Sequence, residues 1–298
     1  MVRGRLSLIG VIILGGVFAG AYANEIAIND IAVWSQGSID LGSGVVINGI
    51  SASGTAFNAN GGSKVNSIYT QGSVWLGSNS VVNGSIYANG SIETYGVNVT
   101  GTKNSNWNFS LPQLDALANT MVGQTSIYKS KNSTSTLNPG NYSEWNFGQK
   151  NQLNLSAGSY SIRSFYMNRS GVVNVDTSAG DVVLNVNGSF STGNNVVFNK
   201  TGNGNFYVNV INSNMSLGND VSLSGIVHIS GGTFNTGTSV NMTGQLFSTG
   251  DIWFGNNSQY TYQTAASIPE PATAAIFAIA SMLLINRRKA TRGTKAAA

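Results

Sequence analysis

The chain has 298 residues, of which 37 are glycine, none is cysteine and only 9 % are charged. The missing cysteines exclude a disulfide framework and a thiolate metal site. Recurrent apolar β-forming residues and a small net charge exclude a long disordered protein. Without residues 1–23 and 263–298 the chain has eight basic and ten acidic residues, so we expect no nucleic-acid partner.

The first 23 residues have the pattern of a secretory signal peptide. A basic start is followed by an apolar run over residues 6–20 and by a small-x-small cleavage site at Ala21 and Ala23. We therefore predict an exported protein. The alternative is an uncleaved membrane anchor, for which the apolar run is short.

A glycine-punctuated repeat organises the remainder of the chain. The stretch QGSIDLGSGVVING at residues 36–49 returns 35 residues later as QGSVWLGSNSVVNG at residues 71–84. The glycine spacing of the second copy recurs downstream from Gly218 and, 19 residues later, from Gly237. A unit of 17–19 residues, with short apolar runs between glycine turns, is typical of a stacked β-solenoid.

The predicted fold is all-β: a parallel β-helix or solenoid with one short inserted α-helix. Residues 24–105 form a first solenoid block and residues 136–262 a second. Glycine and asparagine mark the corners, where a positive φ costs them little. An antiparallel β-sandwich is the structural alternative, and the exact 35-residue repeat disfavours it.

Residues 106–135 interrupt the repeat, and we predict a short amphipathic helix followed by a loop. Ser110 and Gln113 have the spacing of a capping box, and Gly123 is placed to end the helix. The predicted apolar face consists of Leu114, Leu117, Ala118 and Met121. This helix would lie on the flank of the solenoid or cover one of its ends.

The C-terminal segment, residues 263–298, contains three features in a fixed order. Pro269, Glu270 and Pro271 come first, an apolar run over residues 274–285 follows, and Arg287, Arg288 and Lys289 come last. This order resembles the PEP-CTERM sorting signal of Gram-negative bacteria that make exopolysaccharide. The resemblance implies transient anchoring in the inner membrane, cleavage by an exosortase-type sorting enzyme, and delivery to the cell surface or extracellular matrix. An ordinary C-terminal anchor, with its basic end in the cytoplasm, is the alternative.

The body of the chain also resembles the glycine-rich β-helical domains of bacterial surface proteins that carry interchangeable anchors. The phrases LNPGNYS, NLSAGSYSI and GDVVLNVNGSFSTGNNVVF carry this resemblance.

The sequence offers little for catalysis. His228 is the only histidine, which argues against a catalytic triad or a histidine-rich zinc site, and we expect it to face out of a strand. We predict no catalytic residue, no metal and no cofactor. The alternative function is a β-helical polysaccharide lyase or hydrolase, whose best local cluster is Arg163, Arg169, Asp176 and Asp181.

Exposed aromatic side chains are the candidate ligand contacts, because such rings can stack on sugars. The candidates are Trp75, Tyr87, Tyr95 and Trp145, with Tyr166 and Trp253 as further members of the set. The predicted function is that of a structural or adhesive surface protein associated with exopolysaccharide. Self-assembly through uncapped terminal layers is a further expectation.

Overall fold

A computed structural model describes residues 26–263, and this part of the chain is an all-β solenoid. Apart from one 3-10 turn at Ile28–Asp30, its regular elements are short strands. The strands pair in parallel with their equivalents in neighbouring layers, as in Ile39↔Phe57 and Phe57↔Val74. The prediction of a parallel β-solenoid is confirmed. The 35-residue repeat corresponds to two layers, because Ile39 and Val74 lie two layers apart on one face.

The strands fall into two blocks along the chain. The first block contains β1 (Ile31–Ser35), β2 (Ile39–Leu41), β3 (Val46–Asn48), β4 (Ile50–Ser53), β5 (Phe57–Ala59), β6 (Lys64–Val65), β7 (Ile68–Thr70), β8 (Val74–Leu76), β9 (Val81–Val82), β10 (Ile86–Ala88), β11 (Ile92–Thr94), β12 (Asn98–Val99) and β13 (Lys103–Asn104). The second block contains β14 (Ile127–Lys129), β15 (Thr134–Leu137), β16 (Gly140–Asn141), β17 (Glu144–Phe147), β18 (Gln152–Ser156), β19 (Gly158–Ile162), β20 (Ser164–Met167), β21 (Val172–Asp176), β22 (Val182–Val186), β23 (Phe190–Thr192), β24 (Val197–Thr201), β25 (Phe206–Ile211), β26 (Met215–Leu217), β27 (Ser222–Ser230), β28 (Phe234–Thr236), β29 (Asn241–Ser248), β30 (Ile252–Phe254) and β31 (Gln259–Tyr262).

Each turn of the solenoid crosses three faces in the same order. Face 1 is a separate 11-stranded sheet with the strand order β11-β8-β5-β2-β30-β28-β26-β23-β20-β17-β14. The strands that follow on faces 2 and 3 belong to one 20-stranded sheet, because β27 and β29 continue from face 2 to face 3 through Gly225 and Gly244. Face 2 includes β3 and β31, and face 3 includes β1 and β4.

The order of layers along the axis does not follow the order of the chain. The first turn of the first block pairs with the last turn of the second block on all three faces, as β1 with β29, β2 with β30 and β3 with β31. Both chain ends of the described part therefore lie inside the stack. Its two poles are formed by β11–β13 and by β14–β16. No pattern in the sequence predicts this discontinuity.

Residues 105–126 connect the two poles, and we call them the return segment. It runs along face 3: the amide of Trp107 donates to the carbonyl of Ala88 (2.9 Å), and that of Gly123 donates to the carbonyl of Tyr142 (3.0 Å). Between the strands beside these two contacts, β10 and β16, lie nine layer steps, or about 43 Å. Sixteen residues span about 24 Å as a helix and about 53 Å as a strand.

The prediction of a helix at residues 110–122 is therefore wrong. The structure has no helix there, and Met121, a member of the predicted apolar face, is 80 % exposed. Because the segment must reach the far pole, only an extended conformation is long enough. The second block also starts at β14, inside the range that was assigned to the helix and loop.

The solenoid has a continuous apolar interior. In the three-residue strands of face 1 the outer two side chains point inward and the central one points out, as with Val74, Trp75 and Leu76. Aromatic rings fill the second block, where Phe165 and Phe190 stack with their centroids 4.5 Å apart. A second apolar cluster lies outside face 3, where Leu111 and Leu114 of the return segment cover Trp34.

The corner between faces 1 and 2 is built in the same way in eleven layers. Two residues before each face 2 strand, one residue has a φ between +54° and +76°. These residues are Gly44, Gly62, Asn79, Gly96, Asn132, Lys150, Ser170, Asn195, Asp220, Ser239 and Asn257. The predicted preference for glycine and asparagine holds at most of these corners. The four exceptions are Lys150, Ser170, Asp220 and Ser239, which take the same conformation.

Candidate functional site

Face 1 carries one straight row of outward side chains from pole to pole. The strand register places one residue of each strand in this row: Glu93, Trp75, Asn58, Asp40, Trp253, Asn235, Ser216, Ser191, Tyr166, Asn146 and Tyr128. Ten layer steps give the row a length of about 48 Å. Residues from both blocks meet in it, because β2 pairs with β30 and so places Asp40 beside Trp253.

Four aromatic side chains in this row are open to solvent. The exposed fractions are 38 % for Trp75, 46 % for Trp253, 38 % for Tyr166 and 61 % for Tyr128. From one ring to the next there are three, four and two layer steps, or about 14, 19 and 10 Å. Trp75, Trp253 and Tyr166 each lie between two buried neighbours on their strands, so the sheet sets the spacings between them. Tyr128 lies on the terminal strand β14, between the partly buried Ile127 and the exposed Lys129.

Polar side chains fill the row between the rings. Asn58 donates through Nδ2 to Oδ1 of Asp40 (2.7 Å), and the Ser38 hydroxyl donates to Oδ2 of the same carboxylate (2.6 Å). At the far pole the Tyr128 hydroxyl donates to Glu144, and this hydrogen bond raises the pKa of Tyr128. The row therefore alternates flat apolar rings with hydrogen-bonding groups held in place by their neighbours.

Face 2 has a different surface. Its outward rows are dominated by amide and hydroxyl side chains, and in the four layers from β15 to β24 these side chains bond to one another. Asn174 donates to Asn154 (2.8 Å), and Asn154 donates to Thr136 (3.2 Å). This ladder uses its polar groups internally, and among the outward side chains of face 2 Val197 is the one large apolar residue with more than a third of its surface exposed.

Face 3 is largely covered by the return segment. His228 points out of face 3, as the sequence analysis expected, but lies beneath this segment, and burial lowers its pKa to about 4. Asp115 acts in the opposite direction on that pKa. Together with the ladder on face 2, this leaves face 1 as the surface with ordered, exposed aromatic rings.

The predicted sugar contacts separate into three groups. Trp75 lies in the row on face 1, and Tyr95 is exposed (57 %) at the corner that follows β11. Tyr87 is on face 3, where it stacks on Tyr69 at a centroid distance of 4.7 Å. Trp145 is fully buried, so its prediction as a glycan contact is wrong.

Tyr166 and Trp253 are among the further sugar contacts predicted from the sequence, whereas Tyr128 was not predicted. Strand phase is the signal that distinguishes an exposed ring from a buried one. Trp145 aligns with the inward residue Phe165, whereas the next residue, Asn146, aligns with the outward residue Tyr166. Tyr128 aligns with Asn146 and shares this outward phase.

The four charged residues of the enzymatic alternative do not come together. Arg163 lies at the corner between faces 3 and 1, and Arg169 at the corner between faces 1 and 2. Asp176 and Asp181 lie at the corner between faces 2 and 3, where each carboxylate accepts a hydrogen bond from a backbone amide (2.9 and 2.7 Å). They do not line one groove.

A cavity of about 460 Å³ lies at the corner between faces 2 and 3. It is present because β27 and β29 pass this corner without a loop, while Gly202–Asn205 protrude beside them. Lys200, Asn203, Ser224, Thr243 and Gln263 contribute polar groups to its lining. Among residues 26–263 no cluster of three or more side chains is suited to hold a metal ion.

The predicted processing residues lie outside the described part of the chain. These are Ala21 and Ala23 at the start, and Pro269, Glu270, Pro271, Arg287, Arg288 and Lys289 at the end. Within residues 26–263 no helix has the length and apolarity needed to cross a bilayer.

Comparisons with known proteins give two distant structural likenesses. No family model matches the chain, and no curated protein matches it. An ice-binding protein from the Antarctic ascomycete Antarctomyces psychrotrophicus is 14 % identical with a TM-score of 0.41, over 80 % of this chain and 96 % of that one. An ice-binding protein from an Antarctic bacterium of the Flavobacteriaceae is 10 % identical with a TM-score of 0.33, over 79 % and 97 %. Both likenesses are too distant to transfer a ligand to this chain.

Proposed function

We propose that this is an exported, surface-tethered structural protein that holds extracellular polysaccharide on face 1. The observation that supports it is the row of four exposed rings on one rigid sheet. The apolar C–H face of a sugar ring packs on an aromatic ring, and the hydroxyl groups around its edge need hydrogen-bonding partners. Face 1 offers both in alternation along a line, which fits an extended polymer.

The rigidity of the face 1 sheet favours polysaccharide binding. The rings sit on strands rather than on loops, so little conformational freedom is lost when a chain binds. Each ring alone contributes modestly, and several along one polymer contribute together. Weak contacts distributed along a rod suit adhesion within a matrix better than recognition of one small molecule.

The test uses the full chain and the extracellular polysaccharide isolated from the producing cells. A Trp75→Ala/Trp253→Ala double variant should lose about thirtyfold or more in affinity, since two stacking contacts contribute about 2 kcal/mol or more together. Trp107→Ala is the matched control: its ring is equally exposed (37 %) but lies on the return segment. Equal binding by the wild type and the double variant in co-sedimentation would refute the proposal.

Export and tethering are the second part of the proposal, and they rest on the two terminal segments. The basic-apolar-cleavage pattern of residues 1–23 supports export, and the Pro-Glu-Pro motif, apolar run and basic end support a membrane stage with a sorting enzyme. Intact mass of the protein from native cells tests both. The expected product lacks residues 1–23 and the segment after about Pro269, whereas an intact C-terminus in the membrane would favour a permanent tether.

Self-assembly is a second candidate property, favoured by the two poles. Because the layers wind in one direction throughout, the free edges of β11–β13 and of β14–β16 belong to the same three faces and could continue one another. Such head-to-tail contacts do not close, so they would give filaments. A monodisperse monomer in sedimentation at high concentration would exclude this.

A further inference from the structure

The chain enters and leaves the solenoid at one place, the corner between faces 2 and 3. After β31 on face 2, the amide of Gln263 donates to the carbonyl of Gly244 (3.2 Å). Before β1 on face 3, the carbonyl of Asn29 accepts a hydrogen bond from Gln245 Nε2 (3.3 Å) and another from the hydroxyl of Tyr262. The two chain ends of the described part are therefore neighbours.

This exit point lies at the waist of the rod. On face 2, β31 is the fifth of eleven strands counted from the β12 pole. A solenoid wound in simple chain order would release its C-terminus at a pole. The discontinuous order of layers moves the C-terminus to the middle instead.

The exit corner is also the one corner that face 1 does not touch. Each turn passes from face 1 to face 2, then through the exit corner to face 3, and back to face 1. In a three-sided rod, the corner between faces 2 and 3 is opposite face 1. The aromatic row and the exit point therefore lie on opposite sides of the molecule.

We propose that the tethered protein lies side-on to the membrane, with the exit corner toward the bilayer and the aromatic row on face 1 turned outward to the extracellular polysaccharide. The proposal rests on the tether and the ligand of the proposed function. A rod held at its waist can stand on a pole only if the linker runs along the rod to that pole, four layer steps or about 19 Å at the nearer one. It presents its whole length, about 48 Å, parallel to the surface.

The length of the linker supports this orientation. Ten residues, 264–273, separate Gln263 from the apolar run. They reach about 35 Å at full extension and about 18 Å as a flexible chain. To stand on its nearer pole, the rod would need the linker to run about 19 Å alongside it, four layer steps from β31 to β12, which takes up the whole flexible reach of the linker. The side-on position needs no such detour.

The experiment uses single cysteines, because the chain has none of its own. Ser216→Cys places a thiol in the row on face 1, and Asn203→Cys places one on the loop at the exit corner. Both native side chains are exposed. Each variant is made in the full chain with Trp75→Ala/Trp253→Ala, so that bound polysaccharide cannot shield face 1. A bulky, membrane-impermeant maleimide polymer is then applied to the membrane-anchored protein with its outer surface accessible.

The expected result is that the thiol at position 216 reacts several times faster than the thiol at position 203 in anchored protein, and that both react equally after release in detergent. An unchanged ratio before and after release would overturn the side-on orientation while leaving the tether intact. Recovery of all the protein outside the membrane fraction before any processing would instead overturn the tether, and the orientation with it. Equal polysaccharide binding by the wild type and the Trp75→Ala/Trp253→Ala variant, with the expected labelling ratio retained, would refute only the ligand.

Discussion

Two leucines of the return segment are buried against face 3, and replacing them should weaken its docking. Leu111 and Leu114 are 5 % and 9 % exposed and pack in the cluster around Trp34. A buried leucine replaced by alanine costs about 2–5 kcal/mol, and a surface segment that can relax lies near the lower value. If the two effects add, Leu111→Ala/Leu114→Ala weakens docking of the segment by about 4 kcal/mol.

Such a loss multiplies the open population of the segment by about a thousand. Hydrogen exchange of peptides within residues 107–123 measures this directly, because the docked amides of Trp107, Leu117 and Gly123 donate to partners in the solenoid. The core strands should keep their protection, since local opening differs from global unfolding. Met121→Ala on the same segment, whose side chain is 80 % exposed, is the control. Unchanged exchange in the double variant would show that the apolar cluster does not hold the segment.

Three further changes test the core, the corners and the response to pH. Phe190→Ala should lower the free energy of unfolding by about 3–5 kcal/mol in urea titrations, because it removes a fully buried, stacked ring. Gly218→Ala should cost about 3 kcal/mol, since a Cβ there would lie 2.5 Å from the Gly193 backbone. Gly96→Ala, with φ +59° but open space, should cost only about 1–2 kcal/mol, and equal losses at the two glycines would contradict the close-packing argument. Burial in the folded state lowers the pKa of His228 from 6.5 to about 4, so the free energy of unfolding should fall by about 3 kcal/mol between pH 6.5 and pH 4. His228→Asn should remove this part of the pH dependence. An unchanged pH dependence in the variant would exclude His228 as its source.

The repeat was predictable because a solenoid imposes the same local requirements on every layer. Positions two residues before a face 2 strand need a positive φ, which selects glycine and asparagine, and inward positions need apolar side chains. These requirements act within one turn and therefore leave a period in the sequence. The outward position of Trp75 followed from its alignment with Asp40, and the structure places both in the row on face 1.

The helix and the order of layers were not predictable in the same way. Ser110, Gln113 and the apolar spacing of Leu114 and Leu117 are valid local helix signals. The segment must nevertheless span about 43 Å, because the second block begins at the opposite pole, and a helix of this many residues is too short. Pairing between β1 and β29 joins residues more than two hundred positions apart, and no local pattern marks it.

The exposed rings of face 1 were predicted only in part, because residue type alone does not show which way a side chain points. Aromatic residue type identifies Trp75 and Trp145 equally, but only strand phase separates an exposed ring from a buried one. In the first block the repeat supplied that phase. In the second block the layer length varies, from 18 residues between Ile127 and Trp145 to 25 between Phe165 and Phe190, so the phase could not be transferred to Trp145.

The most direct test of polysaccharide binding on face 1 is oxidative footprinting of the unmodified protein with and without the isolated polysaccharide. Mass spectrometry follows oxidation of Trp75, Trp253 and Trp107 in the same sample. The account predicts that the polysaccharide protects Trp75 and Trp253 together and leaves Trp107 unchanged. Protection of Trp107 alone, or equal oxidation of all three with and without polymer, would contradict the account.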